Sequence, residues 1–187
     1  MKKLIACLAV VAAQPVLADT QPADYAQARA EIVNHVACFP HGIDKIATGD
    51  VEGGMAIWNE CWGENLQSTL NFVGGSMVCP GAECTFLTEE QKSFTGPAMR
   101  GALARNGLGA RGFTHTHHQL DTLDVTFTSP EMATVAGKIT ATHFSDHQGP
   151  EIHFVHWTGE VAKTENGWRI VAEDLRTAGH SVLPKPE

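Results

Sequence analysis

The stretch Lys163-Thr164-Glu165-Asn166-Gly167-Trp168-Arg169-Ile170 decides how this chain is read. Asn-Gly between two alternating runs predicts a tight β-hairpin, because the favoured two-residue turn needs φ > 0 at both central positions. Outward from this turn the spacing predicts strands at Glu151–Lys163 and Trp168–Thr177, and before them at Ala133–Phe144 and Phe113–Phe127. Ser129-Pro130 and Asp146 to Pro150 supply the intervening turns. A meander of this length, following a helical first half, predicts an α+β domain: a curved antiparallel sheet with three to four helices on one face.

The first half carries the helices. Gln21-Pro22 to His35 has Ala26, Ala30, Val33 and Ala37 at helical spacing. Pro40 removes a backbone donor and must kink or end that helix. Further helices are predicted over Gly42–Thr48, over Val51–Asn59 with Asp50 as the cap, and from Thr95-Gly96-Pro97 to about Arg105. A first strand is expected at Gln67–Val73, and Gly74 to Ser93 reads as a loop.

Met1-Lys2-Lys3, the apolar run Leu4–Val11 and the small-residue exit at Ala18 describe a cleaved signal peptide, residues 1–18. One domain over 19–183 and a short tail over 184–187 follow. The expected localisation is periplasmic or secreted. Without Lys2 and Lys3, eleven basic residues face twenty-one acidic ones. That balance argues against nucleic acid and anionic membranes as partners. Four cysteines remain, Cys38, Cys61, Cys79 and Cys84, and an even number in an oxidising compartment favours disulfides. Cys38 and Cys61 lie almost symmetrically about the Gly49-Asp50 turn, so an antiparallel helix pair would bring them together and leave Cys79 with Cys84. A four-thiolate zinc site is the rival, and it lacks paired Cys-x-x-Cys spacing.

The chain has ten histidines. Six fall on predicted strands: His115, His117, His118, His143, His153 and His156. Histidine titrates near neutral pH and can take and return protons in one cycle. A strand histidine is also read as a half-buried residue bonded to backbone. His115 and His117 share one strand face, but no third ligand of clear spacing accompanies them, and His153 and His156 fall on opposite faces. No metal site is therefore assigned. Trp58 and Trp62, four apart, would share a helical face, either walling a pocket or packing the helix on the sheet. Asp174 and Arg176 share parity with Trp168 and read as a surface ion pair or as residues that reach the interior.

Asp44 through Thr48-Gly49-Asp50, Gly96-Pro97-Ala98-Met99, His118-Gln119-Leu120 and Glu165-Asn166-Gly167-Trp168-Arg169-Ile170, in this order, resemble the SnoaL-like branch of the nuclear transport factor 2-like superfamily. The resemblance covers most of the chain after the leader. It implies a nuclear transport factor 2-like/cystatin-like cone-shaped barrel, often a homodimer, holding a small apolar ligand. It also implies that, where such a protein is an enzyme, it is a lyase or isomerase that needs no cofactor. Overlay on the scytalone dehydratase pattern puts His118 and His143 at the two pocket histidines. There Ala47 replaces the aspartate, with Asp44 one turn earlier, and Phe72 replaces a tyrosine. His118 would then act as acid or base, His143 as its partner or an oxyanion stabiliser, and Asp44 as the orienting carboxylate. Trp58, Trp62, Phe72, Leu120 and His156 would contact the ligand. A non-catalytic binding or dimeric interaction module is the alternative, and a histidine-based metal-binding protein the second.

Overall fold

The computed structural model describes residues 21–71, 77–78, 85–86, 93–96, 100–102, 104–105, 108, 112–147 and 149–185. Three helices come first: α1 (Tyr25–Val36), α2 (Cys38–Ala47) and α3 (Val51–Cys61). Nine strands follow: β1 (Trp62–Asn71), β2 (Met77–Val78), β3 (Thr85–Phe86), β4 (Ser93–Thr95), β5 (Phe113–Leu120), β6 (Asp124–Ser129), β7 (Met132–Ser145), β8 (Glu151–Thr164) and β9 (Gly167–Val182). Between β4 and β5, residues 100–102 and 104–105 are helical, within the span predicted for a further helix. None of the described helices is long and apolar enough to cross a membrane.

The break between α1 and α2 falls at Ala37, so Pro40 sits in the first turn of α2. A missing backbone donor costs nothing there. Gly49 then turns the chain with φ 100°, and the Asp50 carboxylate accepts from the Gly53 backbone N–H at 3.0 Å to cap α3. Cys38 and Cys61, at the far ends of this helix pair, are joined by a disulfide, as their symmetry predicted. Cys79, Cys84, Phe72 and residues 1–18, predicted to be a leader, lie outside the described residues.

The main sheet runs β4-β1-β9-β8-β7-β5, with β6 continuing along the β5 edge of β7. It differs from the expected antiparallel sheet in one place. β1 pairs with β9 in parallel, because the chain between them crosses back through the helical segment and the meander. The path of paired strands is open, and β4 and β5 do not pair with each other among the described residues. The predicted Phe113–Phe127 strand is two strands: residues 121–123 leave the ladder, and Leu123 in that break and Phe127 on β6 are buried. Trp62 opens β1 rather than closing α3.

The deciding hairpin is present, with its turn one residue earlier than predicted. Thr164 pairs with Gly167, leaving Glu165-Asn166 as the loop. Only Gly167 takes a positive φ, 90°. Glycine enters that region without the steric cost a side chain would bring. The Thr164 hydroxyl holds the turn, accepting from Asn166 N–H at 3.2 Å and donating to the Gly167 carbonyl at 2.8 Å.

Candidate acid–base site on the inner sheet face

Alternation along β5, β7 and β8 turns one set of side chains towards the helices. The set comprises Thr116 and His118; Ala133, Val135, Ile139, Ala141 and His143; and Glu151, His153, Val155, Trp157 and Val161. Most of these are apolar and form the core with Ile32, Val36, Phe39, Ile46 and Leu66. Five ionisable groups break that pattern at one end: Asp44, His118, His143, Glu151 and His153.

Asp44 reaches β5 from the middle of α2. Its Oδ1 lies 2.7 Å from His118 Nδ1 and accepts from the Thr116 hydroxyl at 2.8 Å, while Oδ2 accepts from the His118 backbone N–H at 3.2 Å. Burial alone would raise this carboxyl, but the hydrogen bonds from His118 and Thr116 outweigh it and hold Asp44 below the usual carboxylate range. Burial lowers the His118 pKa from its ordinary 6.5, against the pull of Asp44. Both directions describe one state near neutral pH: an ionised Asp44 accepting the Nδ1 proton of a neutral His118. The His118 side chain is 6% exposed.

His118 Nε2 lies 3.5 Å from His143 Nε2. Since His118 Nδ1 carries the proton, its Nε2 is the acceptor, and His143 Nε2 is the donor of this pair. Antiparallel register places His143 opposite Glu151 and Ala141 opposite His153, so the next strand delivers its own polar pair to the same spot. Glu151 Oε2 is 3.8 Å from His143 Nδ1 and 3.3 Å from His153 Nε2. Burial pushes the His143 pKa down to about 4, against Glu151. His143 Nδ1 is buried and has no hydrogen-bond partner among the described residues.

A second buried polar group stands deeper. Arg100 Nε and Glu173 Oε1 are 2.9 Å apart, with side chains 4% and 0% exposed. Glu173 also accepts from the Ser68 hydroxyl at 2.6 Å and from Trp157 Nε1 at 3.2 Å. The Arg100 guanidinium lies over the Phe39, Trp58 and Trp62 rings at 5.5, 5.3 and 5.9 Å. These distances are in cation–π range.

The structure thus brings His118, His143 and Asp44 together, as the sequence reading asked. Other positions fall elsewhere. Trp58 and Trp62 are buried, their rings 4.3 Å apart, and wall Arg100. Leu120 packs partly buried against the core beside Gly137. His156 is exposed on the outer face, since it alternates with buried Val155 and Trp157. His115 and His117 are exposed too. Asp174 and Arg176 pair at 2.7 Å on the surface. The sequence reading missed Glu151 and Glu173. Glu151 shares parity with Val155 and Trp157, which marks it as inward. Glu173 is reversed by a β9 bulge that no periodicity reveals: Val161 pairs with Ile170, but Glu160 pairs with Ala172.

A family model described as the SnoaL-like domain matches residues 24–173. The chain belongs to the SnoaL-like family. No curated protein matches it significantly. Among solved structures, a type 2 hexachlorocyclohexane dehydrochlorinase (LinA) aligns at 15% identity and TM-score 0.64, covering 87% of this chain and 93% of that one. A scytalone dehydratase candidate from Novosphingobium aromaticivorans aligns at 16% identity and TM-score 0.59, covering 84% and 89%. A nuclear transport factor 2-like superfamily protein from Salmonella enterica aligns at 13% identity and TM-score 0.58, covering 87% and 95%. At such identities these likenesses speak for the fold: SnoaL-like, nuclear transport factor 2-like and cystatin-like, as the motifs predicted.

Proposed function

We propose that this SnoaL-like protein is a lyase or isomerase acting on a small apolar organic molecule, with His118 as the base. The observation that carries the reading is the partly buried Asp44–His118 pair with His143 at the other nitrogen of the His118 ring. Asp44 fixes the imidazole with its proton on Nδ1, which leaves the Nε2 lone pair facing inward. That atom takes a proton from carbon, and the imidazolium that forms is stabilised by the Asp44 carboxylate. The released electron pair forms a double bond as a leaving group departs from the adjacent carbon, or shifts for isomerisation. Substrate entering between the two rings parts their 3.5 Å contact and frees His143 Nε2–H to stabilise negative charge developing on a substrate oxygen.

Elimination is the favoured chemistry within this reading. Two structural neighbours bear names that denote it, a dehydrochlorinase and a scytalone dehydratase candidate. The apolar side chains of Ala141 and Val155 beside the polar cluster favour an apolar substrate. As part of the same reading, the predicted leader and the Cys38–Cys61 disulfide favour a secreted or periplasmic protein, and Phe144 and Phe154, exposed on the outer sheet face, favour a homodimer.

The test compares wild type with His118→Ala on a panel of cyclic halides and alcohols that bear an acidic C–H beside the leaving group. Release of halide or water by the wild type is expected, with turnover at least about 100-fold lower in the variant and circular dichroism unchanged. Equal turnover by both proteins rejects His118 as the base.

A further inference from the structure

We propose that His143 Nδ1, Glu151 and His153 Nε2 form a binding site for one first-row divalent metal ion of the zinc class. This site shares His143 with the lyase reading but does not rest on that reading. The argument begins with tautomers. Asp44 takes the Nδ1 proton of His118, so His118 Nε2 is an acceptor, and only a His143 carrying its proton on Nε2 satisfies the 3.5 Å contact between them. His143 Nδ1 is then a lone pair. It faces a carboxylate oxygen 3.8 Å away, within side chains 5% and 3% exposed, with no hydrogen-bond partner among the described residues. A buried imidazole lone pair without a partner, aimed at a carboxylate, is a place where a cation would be held.

His153 completes the donor set. Its Nε2 is 3.3 Å from the same Glu151 oxygen, and one ligand atom from each of the three residues lies within 4.8 Å of the others. Metal–nitrogen and metal–oxygen bonds of about 2.0–2.2 Å in a tetrahedron separate neighbouring ligands by about 3.3–3.6 Å. The two separations involving Glu151, 3.3 and 3.8 Å, lie at the lower edge of that range and just above it. Two imidazoles and one carboxylate suit zinc and its first-row neighbours, and leave a position open for water or ligand. The backbone supports the arrangement without strain: Glu151 and His153 are two apart on one face of β8, and His143 is Glu151's direct cross-strand partner. A metal on Nδ1 would also fix the His143 Nε2–H that His118 accepts, tying the site to the Asp44–His118 pair through one ring.

The test uses full-length protein produced without a histidine tag, stripped with chelator and titrated with Zn2+ by calorimetry and with Co2+ by absorption. One ion per chain, visible-region Co2+ bands and a raised melting temperature in Zn2+ are expected. His153→Ala and Glu151→Gln should each weaken binding at least about tenfold, while His156→Ala, on the outer face, should leave it unchanged. Circular dichroism checks that each variant is folded. Absence of stoichiometric binding by folded wild type overturns the proposal. So does binding that survives intact in folded His153→Ala and Glu151→Gln but is lost when exposed His115 and His117 are replaced.

Discussion

Asp44 on α2 and His118 on β5, 74 residues apart in sequence, share a 2.7 Å hydrogen bond in which the carboxylate fixes the imidazole tautomer. Thr116 and the His118 backbone N–H hold the same carboxylate in place. Replacing Asp44 by Asn removes the charge and turns a good acceptor into a group that can present N–H to the ring. The neutral His118 then gains freedom to rotate or to change tautomer. Asp44→Asn is expected to lower turnover of an identified substrate about 10²–10⁴-fold with little change in KM. Steady-state kinetics measures this, and a melting curve separates it from unfolding.

Glu173 and Arg100 test a different property. Both are buried, and Glu173 also receives the Ser68 hydroxyl and the Trp157 indole. Removing one partner leaves the other's charge uncompensated away from water. Glu173→Gln is expected to cost about 3–5 kcal/mol, whereas a combined Glu173→Leu and Arg100→Met replacement should recover much of that loss. Urea unfolding of the single and double variants reads the difference. A double variant no more stable than the single one would mean that hydrogen bonds to Ser68 and Trp157, rather than the orphaned cation, dominate.

These two pairs also show which parts of the molecule were legible from sequence. Asp44, His118 and His143 were legible because local patterns placed each on an element and a family resemblance related the elements. The helix pair around Gly49-Asp50 was legible because a positive-φ glycine and a capping aspartate are local signals. Glu173 was hidden, since parity counted from Trp168 put Asp174 inside and Glu173 outside. One extra residue in β9, opposite the Glu160/Val161 step, reverses that count. The parallel β1–β9 pairing was hidden for a related reason: it depends on where a long crossover lands, which no window of neighbouring residues records. Trp62 illustrates the limit of helical spacing. It touches Trp58 as spacing foresaw, yet from the first residue of a strand.

The Cys38–Cys61 disulfide closes a segment of sequence separation 23 at the far end of the α2–α3 pair. Such a cross-link limits the unfolded chain, and stabilisation of about 2–4 kcal/mol is expected. A Cys38→Ser, Cys61→Ser double variant should therefore unfold at lower urea concentration than wild type. Under reducing conditions the wild type should approach it. Peptide mapping that joined Cys38 to Cys79 or Cys84 instead would contradict the pairing.

Gly54 on α3 lies close against α2. A Cβ added there would stand 2.6 Å from the Gly42 carbonyl oxygen and 2.5 Å from Ile46 Cγ1. Because the Gly42 oxygen is backbone inside α2, it cannot swing away as a flexible side chain would. Gly54→Ala gains helix propensity of about 1 kcal/mol, but the clash forces the helices apart and should cost more. The net expectation is destabilisation of about 1–3 kcal/mol, the range for overpacked cores, read by thermal or urea unfolding. Gly53→Ala, one residue earlier, would press only on the Asp50 side chain and so perturb the cap rather than the helix packing.

His35 on α1 gives a pH dependence that lies outside the polar cluster. Burial, and after it the Arg169 guanidinium, lower its pKa from the ordinary 6.5, partly opposed by the Cys61 and Glu60 backbone and the Glu60 charge. Arg169 Nη1 lies 3.4 Å from His35 Nε2, so the neutral ring serves as the acceptor. With a depressed folded-state pKa, the stability tied to the neutral ring is complete above the unfolded value near 6.5. It is lost as pH falls through 6.5 towards the lower folded value, since the unfolded chain takes the proton first. His35→Gln keeps an acceptor without a titration in this range. Its stability should fall less steeply than that of wild type between pH 7 and pH 5. The difference should be on the order of 1 kcal/mol or less, because His35 is only half-buried and solvent screens the Arg169 charge. Urea midpoints measured across that interval decide it, and parallel curves for the two proteins would assign the acid sensitivity to other groups.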